Sequence, residues 1–190
     1  MDLSKFKTSD WLKVGGGAAF LIFGFLPWVK ISGPGGFGSS SGGNVFDFFF
    51  TGIIPWILII GTAVITVLLV TGKMKAGNLP WPLIMLVATA LGALLLILRL
   101  LINPLDGKDF IEASGGSVGR GIGMILSTIA GIAAAAGAFL GFQESGGDLN
   151  DLKDMNKLKS SFGGGQGAGP TPPPPPPPPG MTPPPPPPVS

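Results

Sequence analysis

Four strongly apolar stretches of this chain carry no charged side chain: residues 14–29, 48–72, 76–98 and 121–143. A helix in water keeps a polar face, and windows of this length have none to offer. A bilayer core about 30 Å thick needs about 20 helical residues, which each window approaches once its flanks are included. The expected spans are 11–30, 52–72, 81–103 and 121–142. Helices satisfy every backbone group within their own segment, which an open sheet in lipid cannot do. The expected fold is therefore an all-α membrane protein, an antiparallel four-helix transmembrane bundle filling residues 1–142 and followed by a disordered C-terminal tail.

Composition narrows the chemistry. Only 12% of the 190 residues are charged, about half the share of a soluble domain. Cysteine, histidine and tyrosine are all missing, which removes thiolate nucleophiles, Cys/His zinc sites and the commonest general acid–base. A net charge of +2 is too small for a nucleic-acid partner. No catalytic residue, cofactor or metal site is expected. Lys5, Lys7 and Lys13 ahead of the run from Val14 to Val29 have the polarity of a signal peptide. No small-x-small cleavage site closes that run, so it reads as an uncleaved first span.

Trp11, Trp28, Trp56 and Trp81 all fall near an expected membrane edge, where an indole keeps its ring in lipid and its N–H near water. Lys5, Lys7, Lys13, Lys73, Lys75, Lys153, Lys157 and Lys159 lie on one side of the spans, against Lys30, Arg99, Lys108 and Arg120 on the other. This asymmetry expects a cell-membrane protein with both termini in the cytoplasm.

The first outer connection opens as a flexible GPGGFGSSSGG and turns apolar as NVFDFFFTG. Asn44 with Asp47 three residues on is a helix-start signal, predicting a short helix in the outer interface. The second connection, KMKAGNLP, is a tight hairpin. The third carries Asp106, Asp109 and Glu112, whose spacing matches no calcium loop and suits a solvated turn.

GGSVGRGIGM, at residues 115–124, resembles a phosphate cradle at first sight. It lacks the Lys-Ser/Thr of a P-loop, Met124 stands where the third glycine of a dinucleotide fingerprint belongs, and no strand is expected before it. The membrane reading uses more of its residues. Gly123, Ser127, Gly131 and Ala135 recur every fourth position, with Ala130, Ala134 and Ala138 beside them. Small residues mark the face on which helices pack in lipid. Gly15, Gly16 and Gly17 supply a matching patch on the first span, so spans one and four are expected to touch, with Gly17 near Ala134. The same face could drive homo- or hetero-oligomers. Arg99, about one turn from the outer end, is expected to snorkel to the headgroups.

Residues 143–169 read as a polar linker with a weak helix over about 149–160, where Leu149, Leu152, Met155 and Leu158 recur every third position. Beyond it, Pro172 to Pro179 and Pro183 to Pro188 flank Gly180-Met181-Thr182. Such runs form a polyproline II rod rising about 3.1 Å per residue, which an aromatic-lined groove binds at little ordering cost. Pro172, Pro175, Pro179, Pro183 and Pro188 are the expected contacts for a polyproline-recognising cytoplasmic protein.

FKTSDWL after a basic N-terminus, Leu26-Pro27-Trp28 closing the first span, and Arg120-Gly121 entering the fourth resemble a group of small four-span integral membrane proteins of actinobacteria. Members extend into a Pro-rich cytoplasmic tail. The resemblance covers residues 6–142 and implies a lineage rather than an activity. The expected role is non-enzymatic: a membrane anchor presenting a cytoplasmic arm. The alternative is an accessory or regulatory subunit of a transport or cell-envelope complex, acting through its spans and outer loops.

Overall fold

Three of the apolar windows become helices long and apolar enough to cross a membrane: Phe49–Val70, Trp81–Ile102 and Ile122–Glu144. The computed structural model describes residues 3–36, 38–75, 77, 79–102 and 108–147. The expected helix over 149–160, the polyproline segment and Asp106 lie outside the described residues. The chain is mostly helical, with α1 at Thr8–Gly24, α2 at Ile54–Val70, α3 at Trp81–Ile102, α4 at Lys108–Ala113 and α5 at Ile122–Glu144.

The first helix departs from the expected 11–30. It begins at Thr8, where the Asp10 carboxylate accepts the Lys7 backbone N–H at 3.2 Å and its charge suits the helix N-terminus. It stops at Gly24 because Pro27 disfavours helix at the residue before it. Seventeen residues make a rod of about 26 Å, as long as α2 without its π turn and shorter than α3 and α5. The second window opens with a single π turn, Phe49–Ile53, and Pro55 then sits in the first turn of α2, where its missing N–H costs nothing.

The fold is not all-α. Val29–Ser32 (β1), Ser39–Gly42 (β2) and Ser117–Arg120 (β3) form an antiparallel sheet in the order β2-β1-β3. Val29 faces Gly42 and Arg120, while Lys30 faces Ser41 and Gly119. The Gly/Ser stretch expected to be slack is thus half of a hairpin. Its turn runs through Gly35 and Gly38, both at positive φ, and closes with the Gly33 N–H on the Gly38 carbonyl at 2.9 Å. Alternation decides the register: Val29, Ile31 and Val118 share the face turned from Lys30, Ser32, Ser39, Ser41 and Ser117. The helix-start signal does hold locally, on a 3-10 turn at Val45–Asp47. Asn44 Oδ1 accepts the Phe46 N–H at 2.9 Å and Asp47 Oδ2 accepts the Asn44 N–H at 2.6 Å.

Helix α1 packs between α2 and α5, and α3 packs against the same two. The core they enclose is Phe20, Trp28, Val45, Ile59, Leu96 and Met124, with Ala130 and Ala134. Trp28 is fully buried and stacks on Phe48 at 6.1 Å between ring centroids. It is a core residue, not the surface anchor its position suggested, because β1 draws it under the sheet. Outside, Ile57, Val64, Val87, Leu91, Leu94, Ile129 and Ile132 are exposed, while Thr62, Thr66, Thr89, Ser127 and Thr128 are buried. Thr62, Thr66, Thr89 and Thr128 donate their hydroxyls to Leu58, Thr62, Met85 and Met124 carbonyls of the preceding turn, each at 2.8 Å. Inside such a helix body a hydroxyl can be satisfied without leaving its own helix.

Candidate functional site

The glycines entering α5 owe their presence to a neighbouring backbone. A side chain at Gly121 would collide with the Pro27 carbonyl, and one at Gly123 would lie 2.6 Å from the Leu26 oxygen. Their N–H groups donate to the Trp28 and Pro27 carbonyls at 2.8 and 3.0 Å. Leu26-Pro27-Trp28 and Arg120-Gly121, far apart in sequence, are therefore two sides of one junction. A strand, β3, does precede these glycines, correcting the expectation that none would. Two of the N–H groups a phosphate cradle would use, those of Gly121 and Gly123, are already committed to carbonyls.

Below that junction α5 runs antiparallel to α1. Ser9 meets Glu144, Leu12 meets Gly137, Gly16 meets Ala134 and Leu26 meets Gly123. At Gly16 a Cβ would stand 2.7 Å from the Ala134 backbone nitrogen and 2.9 Å from the Ala130 oxygen. Gly131 instead faces Leu96 of α3 and Ile59 of α2, so the small face of α5 serves several neighbours. Ser127, Ala130, Ala134 and Ala138 are buried, and Ala135 is only half-buried at its edge. Gly17 turns to Ala63 of α2 rather than to Ala134, and Gly15 is exposed with nothing within 4 Å. Gly137, which sequence reasoning passed over, would put a Cβ 2.6 Å from Leu12 Cβ and 2.7 Å from the Lys13 nitrogen. Its signal was the seven-residue spacing Gly123, Ala130, Gly137, which keeps one helix face. Within the chain this small face is already covered by its own helices.

Both ends of the α1–α5 pair carry polar groups. Beside the termini, Ser9 Oγ donates to Glu144 Oε2 at 2.8 Å, and Lys7 lies 3.7 Å from the same carboxylate. Lys13, only 7% exposed, pairs with Asp10 at 2.9 Å. It lies over a cavity of about 100 Å³ that Thr66, Trp81 and Gly141 also line.

At the far end Arg99 does not snorkel. It is 3% exposed, with its guanidinium carbon 3.4 Å above the centre of the Phe48 ring. Nη1 reaches Thr51 Oγ1 at a long 3.4 Å, and Nε and Nη2 have no hydrogen-bond partner among the described residues. The cause is helix rotation: Met85, Thr89, Gly92, Leu96 and Arg99 share the buried face of α3. Arg120 takes the capping role at that end. Its Nε and Nη2 donate to the Leu100 and Leu101 carbonyls of α3 at 2.5 and 3.2 Å, closing groups that a helix C-terminus leaves open. Asp109 and Glu112 sit on α4, where Glu112 lies 3.7 Å from Lys108.

Pro172, Pro175, Pro179, Pro183 and Pro188 lie outside the described residues. No family profile matches the chain, and neither the curated proteins nor the solved structures contain a match to it.

Proposed function

We propose that the protein is a multi-pass membrane anchor: α1, α2, α3 and α5 cross the bilayer as an antiparallel four-helix bundle, both termini lie in the cytoplasm, and the tail is a polyproline arm. The reading rests on one inversion. Bulky Ile57, Val64, Val87, Leu91, Leu94 and Ile129 cover the outside while Gly16, Gly131, Ala134, Ser127 and Thr89 fill the inside. Water would draw the bulky apolar groups inward and the Ser127 and Thr89 hydroxyls outward. In lipid the tails are as apolar as leucine, and close packing of small residues holds helices together. The Ser9–Glu144 contact brings the end of α5 beside the start of α1, which supports a tail on the same side as the N-terminus. A lineage with the small four-span proteins of actinobacteria accords with this layout.

The chain has no cysteine, so single cysteines can be added one at a time. In intact cells a membrane-impermeant maleimide is expected to label Ser40→Cys and to spare Lys73→Cys until the cells are opened. Labelling of both, or of Lys73→Cys alone, removes the proposed topology.

No chemistry is assigned to the bundle; its product is position. An arm of about 60 Å in polyproline II form can recruit a partner or hold one off the membrane. Deleting residues 170–190 is expected to abolish capture of a polyproline-binding protein from membrane-free lysate while leaving membrane insertion unchanged. Unchanged capture after the deletion removes the recruiting role.

A second reading, an accessory subunit of a transport or envelope complex, draws on the sheet. The far-end connections form an ordered three-stranded surface, more than is needed to join helices. There the tail would be dispensable and substitutions along Ser127, Gly131 and Ala134 would be damaging.

A further inference from the structure

Where α1 begins and α5 ends, two aromatic rings stand that the core does not use. Phe6 and Trp11 lie 5.4 Å apart between ring centroids, tilted 41° to one another. Phe6 is half-buried and Trp11 is 49% exposed. The helix start explains why they meet. Lys7 is its N-cap, so Phe6 precedes the cap and Trp11 is the fourth helical residue, the two positions of a hydrophobic staple. The staple sets the rings in place and leaves the indole half bare. We propose that the prolines from Pro172 to Pro179 of the same chain fold back onto this pair, so that the arm is held closed until a partner competes for it.

Chemistry and the path of the chain choose that occupant. A tilted pair of rings makes a notch of the kind that polyproline II segments dock in. The rod is preformed and loses little freedom on binding, and its unpaired carbonyls can accept from an indole N–H. Of the two proline runs, Pro172 to Pro179 is the nearer to the bundle, and no charge interrupts it. The chain also leaves the bundle beside the rings. Ser9 Oγ donates to Glu144 at 2.8 Å, and Lys7, next to Phe6, lies 3.7 Å from the same carboxylate. Gly146, at positive φ, then turns the chain off α5. The Gly146 and Gly147 N–H groups donate to the Gln143 and Phe142 carbonyls at 2.9 and 3.0 Å, the pairing of a Schellman motif.

The tether is long enough. Residues 148–171 join the bundle to the prolines, and a coil of that length would span about 25–30 Å. Ser9 faces α5, and Trp11, two residues on, points away from it. The rings are thus reached by a path round α1, whose diameter is about 10–12 Å. Closing the contact within one chain acts like a local concentration in the millimolar range. At that concentration even a weak contact between proline and aromatic rings is populated, and a partner has to displace it. Lipid competes for the same rings, since an indole favours the membrane interface. The inference rests on the arm reading in taking the run as a polyproline rod, and it does not need the topology.

The test uses the full chain in phosphatidylglycerol nanodiscs, with cysteines added in pairs. A short thiol crosslinker is expected to bridge Thr8→Cys, one turn before Trp11, and Thr171→Cys, next to the prolines, within one chain. Thr171→Cys paired with Lys73→Cys, on the α2–α3 connection, should give little product. Trp11→Ala is expected to lower the yield of the first pair about fivefold, the loss of one aromatic face. Trp11→Phe should keep most of it. Pro172→Ser through Pro179→Ser together leave the packing of the helices alone and should lower the yield as far. A yield that survives either Trp11→Ala or the serine run overturns the contact, as does product formed only between chains. Equal yields from Thr8→Cys and Lys73→Cys overturn it too. Product that forms in detergent but not in nanodiscs gives the rings to lipid and also overturns it. Such a failure leaves recruitment standing, because deletion of residues 170–190 reads that separately. A crosslink that holds while the deletion leaves capture unchanged would keep the fold-back and remove the recruiting role.

Discussion

Gly16→Ala is expected to push α1 off α5, while the same change one residue earlier is expected to stiffen the helix and nothing more. The two glycines are adjacent and chemically identical, so helix propensity affects both alike. Replacing glycine by alanine inside a helix favours the helix by about 0.5–1 kcal/mol. At Gly15 nothing lies within 4 Å of the new methyl, so that gain stands alone. At Gly16 the methyl would meet the Ala134 nitrogen at 2.7 Å and the Ala130 oxygen at 2.9 Å. Those atoms are helix backbone and cannot swing aside as a side chain could. The helices must separate, which costs about 1–3 kcal/mol in an overpacked contact, and Gly16→Val should cost more. Two measurements check it. The melting temperature in detergent should fall for Gly16→Ala and hold or rise for Gly15→Ala. A short thiol crosslinker should bridge Ser9→Cys and Glu144→Cys within one chain, and Gly16→Val should reduce that yield. Equal melting temperatures for the two alanine variants would mean that α1 and α5 do not meet at Gly16.

How much of this was legible beforehand depended on which signal each element carries. Long charge-free windows announce helices by length alone, and α2, α3 and α5 came within a few residues. The sheet is carried by four-residue strands, VKIS and SVGR. Their alternation is too short to stand out, and the first is attached to an apolar run that reads as helix. Pro27 was the available correction, since it ends the helix before Trp28. Once Val29–Ser32 leaves as a strand, Trp28 becomes core and the glycines around Arg120 become the space its backbone needs. Each of those errors followed from the first.

Arg99 was misplaced for another reason: its depth was read but its rotation was not. Met85, Thr89, Gly92, Leu96 and Arg99 follow alternating steps of four and three, the seam of a packed helix. In lipid the buried face is the small and polar one. Following that seam would have turned Arg99 inward.

The inward arginine leads to the second large effect, which separates its charge from its shape. Phe48 covers the guanidinium at 3.4 Å and stacks on buried Trp28. Phe48 is half-buried against the core, so Phe48→Ala is expected to cost about 3 kcal/mol, the low end for an aromatic truncated to alanine. The arginine itself should behave differently. Its stem fills space between α3 and the π turn, but two of its nitrogens lack a hydrogen-bond partner among the described residues. Replacing buried ionic groups with apolar residues of similar volume is often neutral or stabilising by about 1–4 kcal/mol. Arg99→Met keeps the stem and removes the charge, so the melting temperature is expected to hold or rise. Arg99→Lys keeps the charge but loses the flat group lying on Phe48, and its compact ammonium is more strongly hydrated. It is expected to lose about 2 kcal/mol, the worth of a desolvated cation–π contact. The order of melting temperatures should run Met at or above Arg, with Lys below both. If Met falls as far as Lys, the charge is being used, and an anion outside the described residues must be answering it.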